Sequence, residues 1–351
     1  MISISQKQQK LLAIFLKNGV LSSSQIYQDV VDTGGDISLV TIKRTLSQMV
    51  EAKILASTGS GPATKYEIAS LGRIFADIDP QEYCATDPDK RWGLSRYNFD
   101  LLSSLPPDLF TALEQEMLRN ATLEYQRRAA FLPSAIQKKE LERLIIELSW
   151  KSSKIEGNTY TLLDTEKLIL ENRQAPGHDK NEARMILNHK EVFTFIRENV
   201  TEFKTLTKAN LEKLHAVLVK DLSVGLGFRK KPVGILGSKY QPLDNIYQIS
   251  EAVEILSCAV ARMETPWAKA LVALLGISYI QPFEDGNKRT SRLMANALLC
   301  AHGCAPLSYR SLDENEYREA MIVWYEVNSL IPFRQIFISQ YDFAARNYAV
   351  K

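Results

Sequence analysis

The amino-acid sequence predicts a mainly α-helical protein with a small winged helix-turn-helix module at its N-terminus. Three observations carry this. From residue 108 to 350 apolar residues recur at helical spacing. Residues 1–70 hold three short apolar-periodic segments followed by two strand-like runs around a Gly/Pro turn. One Gly-rich stretch, 223–244, interrupts the helical pattern and reads as a β-hairpin. With 351 residues the chain exceeds what one compact core normally holds and suggests two or three domains.

The elements follow in order. Leu11, Leu12, Ile14, Phe15 and Leu16 mark a first helix that stops at Asn18-Gly19. Ser22 or Ser23 caps a second, which turns Ile26, Val30 and Val31 inward. After the loop Thr33-Gly34-Gly35-Asp36 a third helix begins near Ser38, with Val40, Ile42, Leu46, Met49 and Val50 suited to the core. The wing is Ile54-Leu55-Ala56, a Gly59-Ser60-Gly61-Pro62 turn and Lys65-Tyr66-Glu67-Ile68. Asp79-Pro80, Asp87-Pro88 and Pro106-Pro107 break the pattern that follows, so residues 71–107 read as a connecting region.

Charge and cysteine content narrow the class. The 43 Lys+Arg and 41 Asp+Glu leave a net charge of +2, which implies no polyanionic partner. Lys43 and Arg44 on the third helix and Lys65 on the wing suit DNA phosphates, but residues 1–70 carry only seven Lys/Arg against five Asp/Glu. The module therefore suits DNA weakly, and a protein-contact or dimerisation role is the alternative. Cys84, Cys258, Cys300 and Cys304 are scattered, as in a reducing compartment, and offer no zinc ligand set. No signal-peptide pattern opens the sequence and no stretch is apolar enough to span a membrane, so a cytoplasmic protein is expected.

The segment richest in chemistry is Gln281-Pro282-Phe283-Glu284-Asp285-Gly286-Asn287-Lys288-Arg289-Thr290-Ser291-Arg292. A loop of small residues there feeds a helix N-terminus, where backbone N–H groups around Gly286 and Asn287 face an anion and the helix dipole favours negative charge. Arg289 and Arg292 share one helix face, so two guanidinium groups reach the same polyphosphate. Asp285 is a hard oxygen ligand suited to Mg²⁺ between phosphates. Together these residues describe a nucleoside triphosphate site; the alternative from the same residues is an ordinary Asp-Gly-Asn turn followed by arginines on a solvated helix face.

This stretch resembles the signature of the Fic (Fido) family, His-Pro-Phe-x-Asp/Glu-Gly-Asn-Gly/Lys-Arg-x-x-Arg, and the resemblance extends over residues 108 to 340. It implies a Fic helical core over 181–345, preceded at 108–180 by helices carrying an inhibitory motif. Val233-Gly234-Ile235-Leu236-Gly237-Ser238 looks like the family's flap hairpin, whose edge at Gly237 and Ser238 would align an extended target segment. Leu214-His215 matches the family's Leu-His pair, so His215 reads as structural. Upstream, Ser152-Ser153-Lys154-Ile155-Glu156-Gly157-Asn158 is similar to the inhibitory motif Ser/Thr-x-x-x-Glu-Gly/Asn. By that resemblance Glu156 pairs with Arg292 and takes the space of the ATP γ-phosphate. A helix that simply ends at Gly157 is the plainer reading.

One position departs from the signature, and a second, within it, bears on which branch of the family the chain resembles. In AMP-transferring members the first histidine is the general base towards a target Ser, Thr or Tyr hydroxyl, and here that position is Gln281. An amide takes up no proton near neutral pH, and losing a positioned base costs about 10² to 10⁴ in rate. Lys288 stands where AMP-transferring members usually have glycine and the kinase-like Doc branch has lysine. The resemblance thus implies a protein adenylyltransferase that uses ATP and Mg²⁺, is inhibited by Glu156, and is weakened or silenced at Gln281. The alternatives are an ATP-sensing regulator acting through the winged helix, a Doc-like phosphotransferase, and a scaffold whose core supports a homodimer.

Overall fold

The computed structural model describes residues 4–350, which form two compact units. The first comprises residues up to Leu105 together with Ile235–Gln241 and Asn315–Arg334; the second comprises Pro106–Gly234, Pro242–Glu314 and the residues from Gln335 onward.

In the first unit Ser5 opens α1 (Gln6–Asn18) with a capping box, and Gly19 at φ 75° closes it. A two-residue strand β1 (Leu21–Ser22), not anticipated from the sequence, leads into α2 (Ser23–Asp32), capped by Ser22. Ser38 caps α3 (Leu39–Glu51), and β2 (Leu55–Thr58) and β3 (Lys65–Ile68) complete an antiparallel sheet of order β1-β3-β2. Leu55 lies opposite Ile68 and Leu21 opposite Tyr66.

Leu12, Phe15, Ile26, Ile42, Leu46 and Met49 form the core of this module. Two expected core residues are corrected: Val31 is 42% and Val40 77% exposed. Helical geometry explains both. Val31 is rotated about 100° from the buried Val30, and Val40 about 200° from Ile42. Lys43, Arg44 and Lys65 are exposed.

The segment expected to connect contains α4 (Ser70–Ile74) and α5 (Pro80–Cys84), and it buries Phe75, Tyr83, Leu101 and Leu102. Tyr83 and Arg91 meet Glu326 inside the same unit. Arg91 Nη1 lies 3.2 Å from Glu326 Oε1, with both side chains at 3% exposure or less. Glu326 also accepts from Ser238 Oγ at 2.7 Å, the Lys239 amide at 3.1 Å and the Tyr83 hydroxyl at 2.8 Å. Burial, reinforced by Glu326, pushes the Tyr83 phenol far above its ordinary range, so it stays a donor.

The hairpin expected over 223–244 does not form. Among the described residues this stretch has a turn closed by Ser238 N–H donating to Ile235 at 3.1 Å and one isolated parallel bridge between Gln241 and Arg96. The reason lies in where its backbone groups go. Pro232 and Pro242 have no N–H to give, and Arg229 takes the carbonyls of Lys231 and Leu243. Arg91 Nη2 takes the carbonyl of Gly237 at 2.7 Å.

The second unit is helical: α6 (Ala112–Phe131), α7 (Ser134–Ile155), α8 (Leu162–Glu171), α9 (Lys180–Glu198), α10 (Lys208–Leu218), α11 (Ile246–Arg262), α12 (Pro266–Ile280) and α13 (Asn287–Ala301). Of the last two helices, α14 (Glu314–Val327) belongs to the first unit from Asn315 onward, and α15 (Ile331–Asn347) begins in the first unit and continues in the second from Gln335. From Ala270 to Ile280 α12 is buried on every face, as its nearly unbroken apolar sequence requires. A Cβ at Gly276 would lie 2.2 Å from Leu256 Cδ1, so that glycine lets α11 approach α12 closely. α13 packs against α12, α10, α9 and α7. Among the described residues no helix is long and apolar enough to cross a membrane, and the four cysteines are free.

Candidate anion site at the start of α13

α12 ends where Gln281 enters the left-handed region at φ 52°, and α13 begins after Gly286 at φ 79°. The loop between them is fastened from three sides. Asn287 accepts from the Phe283 amide and donates to the Phe283 carbonyl, both at 2.8 Å. Arg229 Nε donates to the Gln281 carbonyl at 2.7 Å. Below the loop, His215 stacks on Phe283 with ring centroids 3.6 Å apart, and its Nε2–H donates to the Asp285 carbonyl at 2.9 Å. Burial pushes the His215 pKa down to about 4, so the ring is neutral and holds this tautomer near pH 7. The structural reading of His215 agrees with this geometry.

This scaffold leaves unsatisfied donors in the first turn of α13. No side chain caps the N-terminus of α13, so its first turn keeps the orphan backbone N–H groups that attract anions. Arg289 is 3% exposed; its Nη2 pairs with Asp285 at 2.8 Å, while Nη1 is buried without a hydrogen-bond partner. Burial pulls the Arg289 pKa below the ordinary guanidinium range, opposed chiefly by Asp285. An anion at the helix start would supply what Nη1 lacks. The Asn287 side chain is spent on the loop, so that residue offers only its backbone amide.

Asp285 is the one carboxylate of the motif loop beside Arg289, and its side chain is 62% exposed. Among the described residues no cluster of three or more potential ligands stands ready for a metal. Asp285 therefore fits a divalent cation only as a single ligand shared with phosphate oxygens and water, which is how Mg²⁺ is usually held beside nucleotides.

The upstream segment meets the motif here. α7 ends in a Schellman arrangement: Gly157, at φ 95°, donates to the Lys154 carbonyl at 2.9 Å, and Asn158 donates to that of Ser153 at 3.1 Å. This ending fixes Glu156 at the helix terminus, where Oε1 lies 2.9 Å from Arg292 Nη1. Lys288 Nζ stands 3.8 Å from the other carboxylate oxygen. Arg292, fully buried, also donates through Nε to Ser152 Oγ at 2.9 Å and through Nη2 to the Ser152 carbonyl at 2.8 Å. Ser152, Glu156, Lys288 and Arg292 thus form one cluster, and the helix-ending role of Gly157 is real beside it.

Gln281 is 6% exposed, and its Nε2 donates to the Ser278 carbonyl at 2.6 Å, folding the amide back onto α12. Gly237 and Ser238 lie in the first unit, engaged by Arg91 and Glu326 as described above. Sequence reasoning missed His189 of α9, whose Nε2 lies 3.0 Å from Ser152 Oγ, and the bracing by Arg229. The only local signal for His189 was a polar ring in the apolar stripe of Ile186, Phe193 and Ile196.

Comparison with known proteins bears on the family and the fold. Residues 205–299 match the model of the Fic/DOC family. Protein adenylyltransferase Fic of Nematostella vectensis is 25% identical over 59% of this chain and 50% of its own length. Fic-1 of Caenorhabditis elegans is 20% identical over 76% and 53%, and Fic of Drosophila yakuba 30% identical over 46% and 34%. The chain thus spans about half the length of the curated relatives it matches most fully. Among solved structures, Fic-1 of C. elegans (aa134–508) superposes with a TM-score of 0.58 at 18% identity over 68% of this chain and 72% of that one. A Fic domain signalling protein from Bacteroides thetaiotaomicron gives 0.55 at 18% identity over 66% and 94%. The loop that feeds α13, the helices that enclose it and these likenesses lead to one conclusion: the chain carries a Fic/DOC domain at residues 205–299.

Proposed function

We propose that this protein is a Fic-type nucleotidyltransferase whose site takes Mg·ATP, with AMP transfer to a Ser, Thr or Tyr hydroxyl of a target protein as its chemistry. The observation that carries the reading is the uncapped start of α13 beside the partnerless Nη1 of Arg289. The amides of Asn287, Lys288 and Arg289, opened by Gly286, would hold the phosphates, and Asp285 would hold Mg²⁺. Held there, Mg²⁺ would supply positive charge to offset that of the phosphates.

Glu156 is the built-in competitor. Its carboxylate occupies the guanidinium of Arg292, so a γ-phosphate gains Arg292 only when Glu156 leaves. Lys288 adds a second, more distant cation to Glu156. Gln281 supplies no base, so proton removal from the acceptor hydroxyl falls to solvent or to the substrate, and transfer is slow.

The direct test compares label transfer from α-³²P-ATP and γ-³²P-ATP by the Glu156→Gly protein, with Gln281 retained and with Gln281→His. We expect α label on protein acceptors, strengthened about 10²-fold or more by Gln281→His. Transfer of γ label alone would move the chain to Doc-like phosphoryl transfer.

A second reading is favoured by the Gln281 amide turned onto Ser278. In it the site senses ATP without transfer, and displacement of Glu156 is reported through the N-terminal module, a winged helix-turn-helix presenting Lys43, Arg44 and Lys65 to DNA or to a protein. Failure of both Gln281 forms to transfer any label, with ATP binding intact, would select this reading.

A further inference from the structure

The Ser152 hydroxyl accepts the Nε–H of Arg292, but a hydroxyl also carries a proton of its own, and that proton must point elsewhere. The structure supplies the acceptor. His189 Nδ1 lies 2.9 Å from the Met185 carbonyl, and since a carbonyl only accepts, the ring proton sits on Nδ1. Nε2 is then a bare lone pair, 3.0 Å from Ser152 Oγ. Both His189 and Ser152 are fully buried, so no water competes for either group. The order of donation is therefore fixed from end to end: Arg292 Nε–H to Ser152 Oγ, Ser152 Oγ–H to His189 Nε2, and His189 Nδ1–H to Met185.

We propose that His189 is a positioning residue of the inhibitory contact: by taking the Ser152 proton it turns the serine lone pair towards Arg292 and holds the guanidinium in the orientation that Glu156 engages. The inference rests on the autoinhibitory reading of Glu156 and adds to it a residue from a third helix, 33 residues beyond the glutamate in sequence. Without an acceptor at this point the hydroxyl proton is free to turn towards Arg292 Nε–H, donor against donor, and the clamp on the arginine loosens. Arg292 then becomes easier for a phosphate to capture.

The test is a cycle of Mg·ATP affinities measured by calorimetry on the full chain. His189→Phe, which keeps the ring volume and removes the acceptor, is expected to raise affinity about five-fold, the net worth of one hydrogen bond. His189→Gln, whose amide oxygen can accept from Ser152, should return affinity towards that of the unaltered protein. In a Glu156→Gly background His189→Phe should change affinity less than about two-fold, because the contact it supports is gone. An equal effect in both backgrounds would show a general packing role and overturn the inference. So would no effect of His189→Phe where Glu156→Gly alone raises affinity. If Glu156→Gly leaves affinity unaltered, the autoinhibitory reading itself falls, and the inference with it. Should His189→Phe fail to fold, ¹⁵N NMR of the unaltered protein decides: a neutral ring protonated at Nδ1 is expected, and protonation at Nε2 sinks the proposal.

Discussion

Two arginine–glutamate pairs, Arg91–Glu326 and Arg292–Glu156, share a buried arginine but differ in the exposure of the carboxylate, and that contrast bears directly on the proposed displacement of Glu156. In the first unit, Arg91 and Glu326 are both sealed from solvent, and Glu326 is further satisfied by Tyr83, Ser238 and the Lys239 amide. In the second unit Arg292 is sealed, but Glu156 is 20% exposed and stands at a helix end. A carboxylate surrounded on all sides cannot leave without stranding its partners. One that reaches solvent can be exchanged for another anion while Ser152 keeps part of the arginine satisfied.

The same substitution in each pair breaks or sustains this contrast. Glu326→Gln leaves Arg91 buried without a counter-ion and should cost about 3–5 kcal/mol, read as a lowered urea midpoint. Glu156→Gln should cost about 1 kcal/mol, and saturating Mg·ATP should restore that loss; comparable losses in both variants would refute the distinction.

Acid should act on one unit more than the other. All four histidines belong to the second unit, where burial holds His215 down to about 4 and His189 down to about 3. Their folded pKa values lie below the ordinary value of 6.5, so the unfolded chain binds the extra protons first. Stability contributed by the neutral rings is complete above about pH 6.5 and falls as pH drops towards 4 and 3, by up to about 1.4 kcal/mol per pH unit for each ring. Hydrogen exchange at pH 5 against pH 7 should show α9 and α10 losing protection ahead of the Arg91–Glu326 region. Uniform loss would sink the assignment.

The smallest expected effect sharpens the latch itself. Gly157→Ala forces a side chain into φ 95° and should cost about 1 kcal/mol. Because the Schellman ending positions Glu156, the same change should raise Mg·ATP affinity by calorimetry; lost stability with unchanged affinity would show that the helix ending and the latch are independent.

Several elements were legible in the sequence because their causes are local. Ser22 and Ser38 cap the helices they precede, Asn18-Gly19 ends the first, and the small residues before α13 mark an uncapped helix start. The exposure of Val40 was a matter of helical phase, and phase can be set only once a helix has a neighbour to face. The 223–244 stretch misled because its glycines and alternating residues suit a hairpin, whereas Arg91 and Arg229 claim its carbonyls from elsewhere in the chain.

Sequence alone determined the motif loop and its bordering helices, since each depends on residue identity at fixed spacing; the candidate pairing of Glu156 with Arg292 and the significance of Gln281 came from the family resemblance. Tertiary structure alone decided that Ser152 meets both Arg292 and His189, that His215 props the loop, and that Glu326 is locked while Glu156 reaches solvent. The physical reason is that spacing along one helix constrains which side chains share a face, but burial and hydrogen-bond direction are set by which helices the whole chain brings together.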